Sequence, residues 1–484
     1  VCMKDGLYWV QQLKEQKVSH TELLKDIEKK VQKLNPKING FVTFDSQEAE
    51  ATYQKNKQQD TLFAGLPFPL KMLGQEKAGW SATAGSQLFK NSTATTTSNF
   101  VKQAETIGLM PLGQTNAPEF GFKNITDPAL YGPARNPWNL EHSPGGSSGG
   151  AAAVVASGIV PIAGASDGGG SIRIPASFSG LIGLKPSRGS MPVGPEGWRG
   201  WQGASIDFAL TISMRDTKAL FYGLRGSHSG APYQAPLAEW QTHPKKQRLK
   251  IALCTASPIG SLISPEATQA AKQAADFLAA AGHEIIEIPY PVDGAALIRS
   301  YYQMNGAETT AMMNSIQQGL GRPIRKEEIE PFSWTMHQFG QKIPAATYVH
   351  SLQLWDQAAV TMEELFQKFD LFLSPTTAFS APKINEDLQS EHIRQRMAQA
   401  AELTEAELAE LIYDYFDKSL QLTPYTQLAN LTGQPAISLP THVTATGLPL
   451  GIQLLAARGR EDLLFQVGEQ FEQEGKFKLP ESYR

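Results

Sequence analysis

Apolar residues near the start of the chain recur at three- and four-residue intervals: Leu7, Val10, Leu13, Val18, Leu23, Ile27 and Val31. This spacing predicts a helix over residues 6–34 with one face against a core, and Thr21 is a candidate N-cap. Residues 98–108 carry the same helical period. From Phe63 to Leu73 the pattern becomes a nearly continuous apolar run broken by prolines, which reads as a strand with Lys71 near its end. Met110–Thr115 and Ile159–Ala163 are further buried-strand candidates. Ala151–Ala156 is a run of small apolar residues suited to a closely packed helix.

In the second half, strand candidates at Leu249–Cys254, Glu284–Ile288, Phe369–Leu373, Pro435–Leu439 and Gly451–Ala456 are interleaved with helical stretches. Pro265–Ala281 is a helix stopped by Gly282, and Glu461–Glu474 is one stopped by Gly475. Residues 303–350 and 385–425 read as helical cover. Such alternation predicts an α/β protein with a parallel or mixed sheet covered on both faces. A length of 484 residues allows two or three domains, or one large unit.

Composition narrows the class without choosing a function. The chain is 41% hydrophobic and 19% charged, ordinary for a protein with a large core. Forty-three basic against 47 acidic residues leave a net charge of -4, with no basic surplus to hold nucleic acid. Two cysteines, Cys2 and Cys254, exclude a disulfide framework and a cysteine-rich metal site. No His-x-x-x-His or Cys-x-x-Cys pair suggests a metal, and no cofactor is expected. No apolar run has the length of a membrane span, and Val1–Lys30 lacks a signal-peptide centre. These features point to a cytoplasmic protein, although Val1 leaves the native start open.

Chemistry concentrates in two glycine-serine loops whose central serines, Ser147 and Ser171, lie 24 residues apart. Glycine runs let the backbone present its N–H groups closely to a ligand. Two such loops joined by a small-residue helix and a buried strand do not behave as linkers. Gly146-Ser147-Ser148-Gly149-Gly150 fits the G-x-S-x-G nucleophile elbow. That reading needs a catalytic histidine, and none of the nine lies in a suitable loop. His283, between a helix and a strand, reads as a boundary residue. No Gly-Lys-Ser/Thr follows, so a P-loop is weaker still.

Together the loops resemble the amidase signature family. The resemblance rests on Gly145-Gly146-Ser147-Ser148-Gly149-Gly150, on Asp167 through Pro175, and on Gly180 through Pro186. Upstream, Gly65-Leu66-Pro67-Phe68-Pro69-Leu70-Lys71 is similar to the family's lysine strand. Gly113-Gln114-Thr115-Asn116 and Asn136-Pro137-Trp138-Asn139 match its loops. Asn430 through Ala436 and Gly451-Ile452-Gln453-Leu454 match its closing strands. Gly321-Arg322-Pro323-Ile324 with Trp334, and Gly459 through Leu464, are similar to the branch of 6-aminohexanoate cyclic dimer hydrolases.

The resemblance implies one amidase domain over residues 1–484, with a twisted mixed sheet of roughly ten strands. Within it fall an N-terminal helical segment (1–60), the signature core (61–230) and a C-terminal α/β half (231–484). It implies Ser171 as nucleophile, Ser147, joined to Gly146 by a cis peptide, as proton relay, and Lys71 as base. A serine hydroxyl needs a base, and a lysine serves only when neutral. Gly168, Gly169, Gly170 and Ser171 would supply the oxyanion hole. Ser148 is expected to hold Lys71 by a hydrogen bond, and Asp167 and Arg173 to brace the nucleophile loop. The family's lysine is often followed by Asp; here Met72 follows.

The implied reaction is hydrolysis of small linear or cyclic carboxylic amides through an acyl-enzyme. Gly121, Phe122 and Asn305 are candidate substrate contacts, and a homodimer is a possible assembly. A second reading is the glutaminase subunit of a tRNA-dependent amidotransferase complex. Gly194 through Trp201 looks unlike that subunit. A third makes the glycine loops an anion- or peptide-binding surface without turnover.

Overall fold

The computed structural model describes residues 3–56, 60–235 and 248–484. Val1 and Cys2 lie outside the described residues. Eleven strands form two sheets among them. The smaller holds β1 (Phe41–Thr43), β2 (Leu66–Lys71) and β3 (Leu109–Thr115), in the order β1-β3-β2. The other strands are β4 (Ala163–Asp167), β5 (Ile182–Lys185), β6 (Ile206–Thr211), β7 (Lys250–Leu253), β8 (Glu284–Glu287), β9 (Leu371–Pro375), β10 (Ala436–Val443) and β11 (Pro449–Leu455).

The larger sheet runs β4-β6-β5-β10-β11-β9-β7-β8. Its pairs are antiparallel from β4 through β9, and the last two, β9 with β7 and β7 with β8, are parallel. The expected mixed α/β sheet is therefore present, its strands divided eight and three. Strands β2, β3, β4, β5, β9 and β11 are buried along their whole length, as strands covered on both faces must be. One apolar cluster runs from Val10 to Leu479, so the two ends of the described chain share a core.

Three local expectations change. The predicted helix over 6–34 is two helices, Gly6–Lys14 and His20–Ile38. The break comes from Ser19, which accepts from the Glu22 N–H while Glu22 reaches back, a complete capping box. Ser19, not Thr21, is the N-cap. Periodicity carried through the gap because both helices face the same core. The strand expected at Ile159–Ala163 begins at Ala163 instead; Ile159–Ile162 is buried but unpaired coil. This shift puts Ser166 and Asp167 on a strand. The strand expected at Phe369–Leu373 likewise starts two residues later.

Helices Gly294–Leu320, Pro331–Gly340, Ala345–Phe366 and Glu405–Leu422 form a second apolar layer with its own cluster, beside the larger sheet. Among the described residues, no helix is long and apolar enough to cross a membrane.

Candidate active site

Lys71 ends β2, and its side chain is 1% exposed. Its place is fixed through Gln75, whose Oε1 accepts the Lys71 N–H at 2.9 Å. The Gln75 amide in turn donates to Ala165 O at 3.0 Å and Phe208 O at 3.3 Å. One side chain thus ties the small sheet to β4 and β6 of the larger one. Lys71 Nζ lies 2.7 Å from Ser147 Oγ and 2.8 Å from Ser166 Oγ. Burial lowers its pKa to about 7, against the opposing pull of the Asp207 and Asp167 carboxylates.

Ser147 follows a cis peptide bond from Gly146, and Ser148 precedes the helix Gly149–Ala156. That helix is built of Gly, Ala and Val because it is wholly buried. At Gly150 a Cβ would collide with the Asn116 backbone, so only glycine lets the helix start here. Ser148 does not reach Lys71. Its Oγ donates to Ser166 O at 3.2 Å and accepts from Ser166 N at 3.3 Å, so it holds the strand residue that holds the lysine. The contact expected of Ser148 falls instead to Ser166, which follows from the later start of β4.

Ser171 comes after the loop Gly168–Gly170. Gly170 has φ +129°, and a Cβ there would run into Thr426. Asp167 and Arg173 bracket the loop in an ion pair of 2.9 Å with both side chains 0% exposed. Arg173 also donates to Thr426 O and Gln453 Oε1, each at 2.7 Å, and to Asn430 Oδ1 at 2.6 Å. Asp167 accepts the Gly170 N–H at 2.6 Å and the Ile172 N–H at 3.2 Å. Burial alone would raise the Asp167 pKa, but the Arg173 charge and the Asn430 amide hold it at about 2. Both side chains are taken up by these bonds. The Gly170 N–H is committed to Asp167, which removes it from the four donors expected for an oxyanion.

Lys185 is a second buried lysine, also lowered to about 7 by burial and then by Arg173. Its ammonium nitrogen lies 2.7 Å from Pro186 O, and it lines neither of the two cavities that Ser171 opens onto. Geometry, not pKa, separates the two lysines.

Ser147, Ser166, Gly168 and Ser171 open together onto a cavity of about 720 Å³. Leu73, Phe89, Phe120, Phe122, Trp201 and Met312 make much of its wall apolar. A smaller cavity of about 50 Å³ meets it at Gly121, Phe122 and Ser171 and is lined by Tyr301, Asn305 and Gln427. Phe122 stands between the two, with its ring centroid 6.1 Å from Trp201 and 5.9 Å from Phe332. The buried Oδ1 of Asn305 and Oε1 of Gln427 have no hydrogen-bond partner among the described residues. Among the described residues, no histidine lines either cavity. His283 instead bonds Leu249 N at 3.0 Å and Gln470 at 2.9 Å, at the helix–strand boundary expected for it.

Four residues at or beside the site, Ser166, Gln75, Gln427 and Glu119, carry no motif in the sequence. The Glu119 carboxylate accepts from Ser86 Oγ at 2.6 Å, Ser333 Oγ at 2.5 Å and Glu330 N at 2.8 Å, which pins the Phe120–Phe122 turn to the helical layer. Its buried carboxyl is pushed up in pKa by desolvation. The signal available for it was an acidic residue in an otherwise apolar Pro118–Phe122 stretch.

The site thus sets a buried lysine against serines at a cleft of a mixed α/β fold, with no histidine lining that cleft among the described residues. The chain belongs to the amidase family, whose model matches residues 22–465. It is 39% identical over 474 residues to a lipoamidase of Enterococcus faecalis, covering 97% of this chain and 63% of that protein. It thus spans less than two thirds of that relative's length. It is 32% identical over 473 residues to a 6-aminohexanoate-cyclic-dimer hydrolase of Paenarthrobacter ureafaciens, covering 94% and 91%. The structure of a 6-aminohexanoate cyclic dimer hydrolase complexed with substrate superposes with a TM-score of 0.88 at 30% identity, covering 99% of each chain.

Proposed function

We propose that the chain is an amidase that hydrolyses the C–N bond of carboxylic amides through an acyl-enzyme on Ser171. The observation that carries this is the 2.7 Å approach of a buried, depressed-pKa Lys71 to Ser147 at a cleft shared with Ser171. A neutral amine at that distance accepts the Ser147 proton, and Ser147 then takes the proton of Ser171 as its Oγ attacks the carbonyl. The same path, reversed, protonates the leaving amine. Water repeats the cycle to release the acid. The N–H groups of Gly168, Gly169 and Ser171 are the donors for the oxyanion, each worth on the order of 3 kcal/mol in the barrier.

The substrate class is a small amide with an aliphatic arm. An apolar wall around a 720 Å³ cleft suits such an arm, and the lipoamidase and cyclic-dimer hydrolase relatives are named for substrates of this kind. Phe122 contributes apolar surface, while Asn305, with Gln427, offers acceptors to a donor on the far side of the scissile bond.

Purified chain should release amine from linear and cyclic aliphatic amides, and Ser171→Ala and Lys71→Met should each reduce turnover to the uncatalysed rate while circular dichroism stays native. Undiminished hydrolysis by Ser171→Ala would refute the assignment. Release of ammonia from glutamine alone, and only with added partner subunits, would favour the glutaminase reading, which a 30% identical glutamyl-tRNA(Gln) amidotransferase subunit of Bdellovibrio bacteriovorus suggests.

A further inference from the structure

Asp207 has no role in the scheme above, yet the fold brings it to the lysine. It lies on β6, directly across from Ser166 of β4 in the antiparallel register. Facing side chains in such a pair stand on the same side of the sheet, with Cβ atoms about 4.5–5.5 Å apart. Ser166 is the residue that binds Lys71 Nζ through both its Oγ and, at 3.4 Å, its carbonyl. Asp207 opens onto the cleft of Ser147 and Ser171, and also onto an adjoining cavity of about 260 Å³ shared with Glu76 and Glu196. Its Oδ1 is buried and has no hydrogen-bond partner among the described residues. Asp167, by contrast, spends its carboxylate on Arg173, Asn430 and two backbone N–H groups.

A buried carboxyl oxygen without a partner is costly, and such a group persists where its charge is used. We propose that Asp207 is a positioning residue for Lys71: the two form a buried, proton-sharing pair in which the Asp207 carboxylate stabilises the lysine when it takes the proton from Ser147. This rests on Lys71 as the base. No proton enters or leaves the balance: Lys71 gains the proton that Ser147 gives up, and returns it through Ser147 to the leaving amine. With Met72 where the family often has an acid, the counter-charge comes from another strand.

The charged and titratable groups facing Lys71 are Asp207 of β6, Asp167 of β4, itself paired with Arg173, and, through Asp207, Glu76 of the loop after β2. Glu196 faces Glu76 across the side cavity. Burial and then the Glu76 charge raise the Asp207 pKa to about 8, while Lys71 and the Gln75 side chain oppose the rise.

The test is the pH dependence of kcat/KM on hexanoyl p-nitroanilide for wild type, Asp207→Asn, Asp207→Glu and Glu76→Gln. Removing the Asp207 charge removes an influence that raises the lysine pKa, so the midpoint of the alkaline rise in Asp207→Asn should fall by about one unit. Asp207→Glu should restore it. Glu76→Gln acts through Asp207 in the opposite sense. It makes Asp207 more acidic and therefore anionic at lower pH, so the midpoint should rise. An unchanged midpoint in Asp207→Asn, whatever its loss of rate, would overturn the proposal. If that variant does not fold, a midpoint in Glu76→Gln that is unchanged or lower would overturn it. Failure of the base assignment itself would show differently, as full activity in Lys71→Met.

Discussion

Taking Lys71 out of water is what changes its chemistry. At 1% exposure the ammonium form loses its hydration, and the nearby carboxylates only partly compensate, so the pKa falls to about 7. If Lys71 is the base, as proposed, it works only when neutral, so turnover should rise as pH passes upward through about 7 and be small at pH 5. Arg173 follows the opposite logic. It is held within a fully buried network, and the Asp167 charge is tolerable only because Arg173 is there. Breaking a buried pair by removing one partner costs about 3–5 kcal/mol. Arg173→Met should lower the unfolding free energy by about that amount in urea titration; a change below about 1 kcal/mol would show that the network does not hold the loop.

At the scale of elements, the site depends on two sheets meeting at one side chain. Gln75 spans from the end of β2 to the backbones of β4 and β6, so it sets where the lysine strand lies relative to Ser166. Gln75→Leu keeps the volume but leaves the Lys71 N–H and two strand carbonyls without this partner. Each unsatisfied buried group costs about 1–3 kcal/mol. The variant should lose stability in urea titration and lose kcat more than KM worsens, because the lysine, not the cleft wall, is displaced. A variant altered only in KM would contradict this.

Much at this scale was legible in the chain. Lys71 at the end of its strand, a small-residue helix at Ala151–Ala156 (which the structure starts two residues earlier, at Gly149) and the serine loops all follow from local pattern and motif. What was not legible had physical reasons. The capping box at Ser19 was masked by an apolar period that continues across the break. Ser166 was overlooked because Ile159–Ile162 is as buried and apolar as a strand but makes no ladder, which draws the strand away from it. Asp207 reaches the lysine through a strand pairing across distant segments, which no local pattern encodes.

For the whole molecule, the fold gathers at least five separate stretches around one cleft, among them the residues just after β2, the two glycine-serine loops, the Glu196–Asp207 segment and the helix Gly294–Leu320. The chemistry sits where sheet edges and loops converge, and the helical layer supplies Thr309, Met312 and Ile316 to close it. Phe122 lines the same cleft as Ser147 and Ser171, and Asn305 lines the smaller cavity that meets it at Ser171.

Covalent labelling distinguishes whether Ser171 is the nucleophile activated through Lys71. Wild-type protein is treated with an alkyl fluorophosphonate from acid to mildly alkaline pH, and the adduct is located by peptide mass mapping. A single adduct on Ser171 is expected, formed at a rate that rises through about pH 7 and is lost in Lys71→Met. An adduct on any other residue, or labelling of Lys71→Met at the wild-type rate, would contradict it.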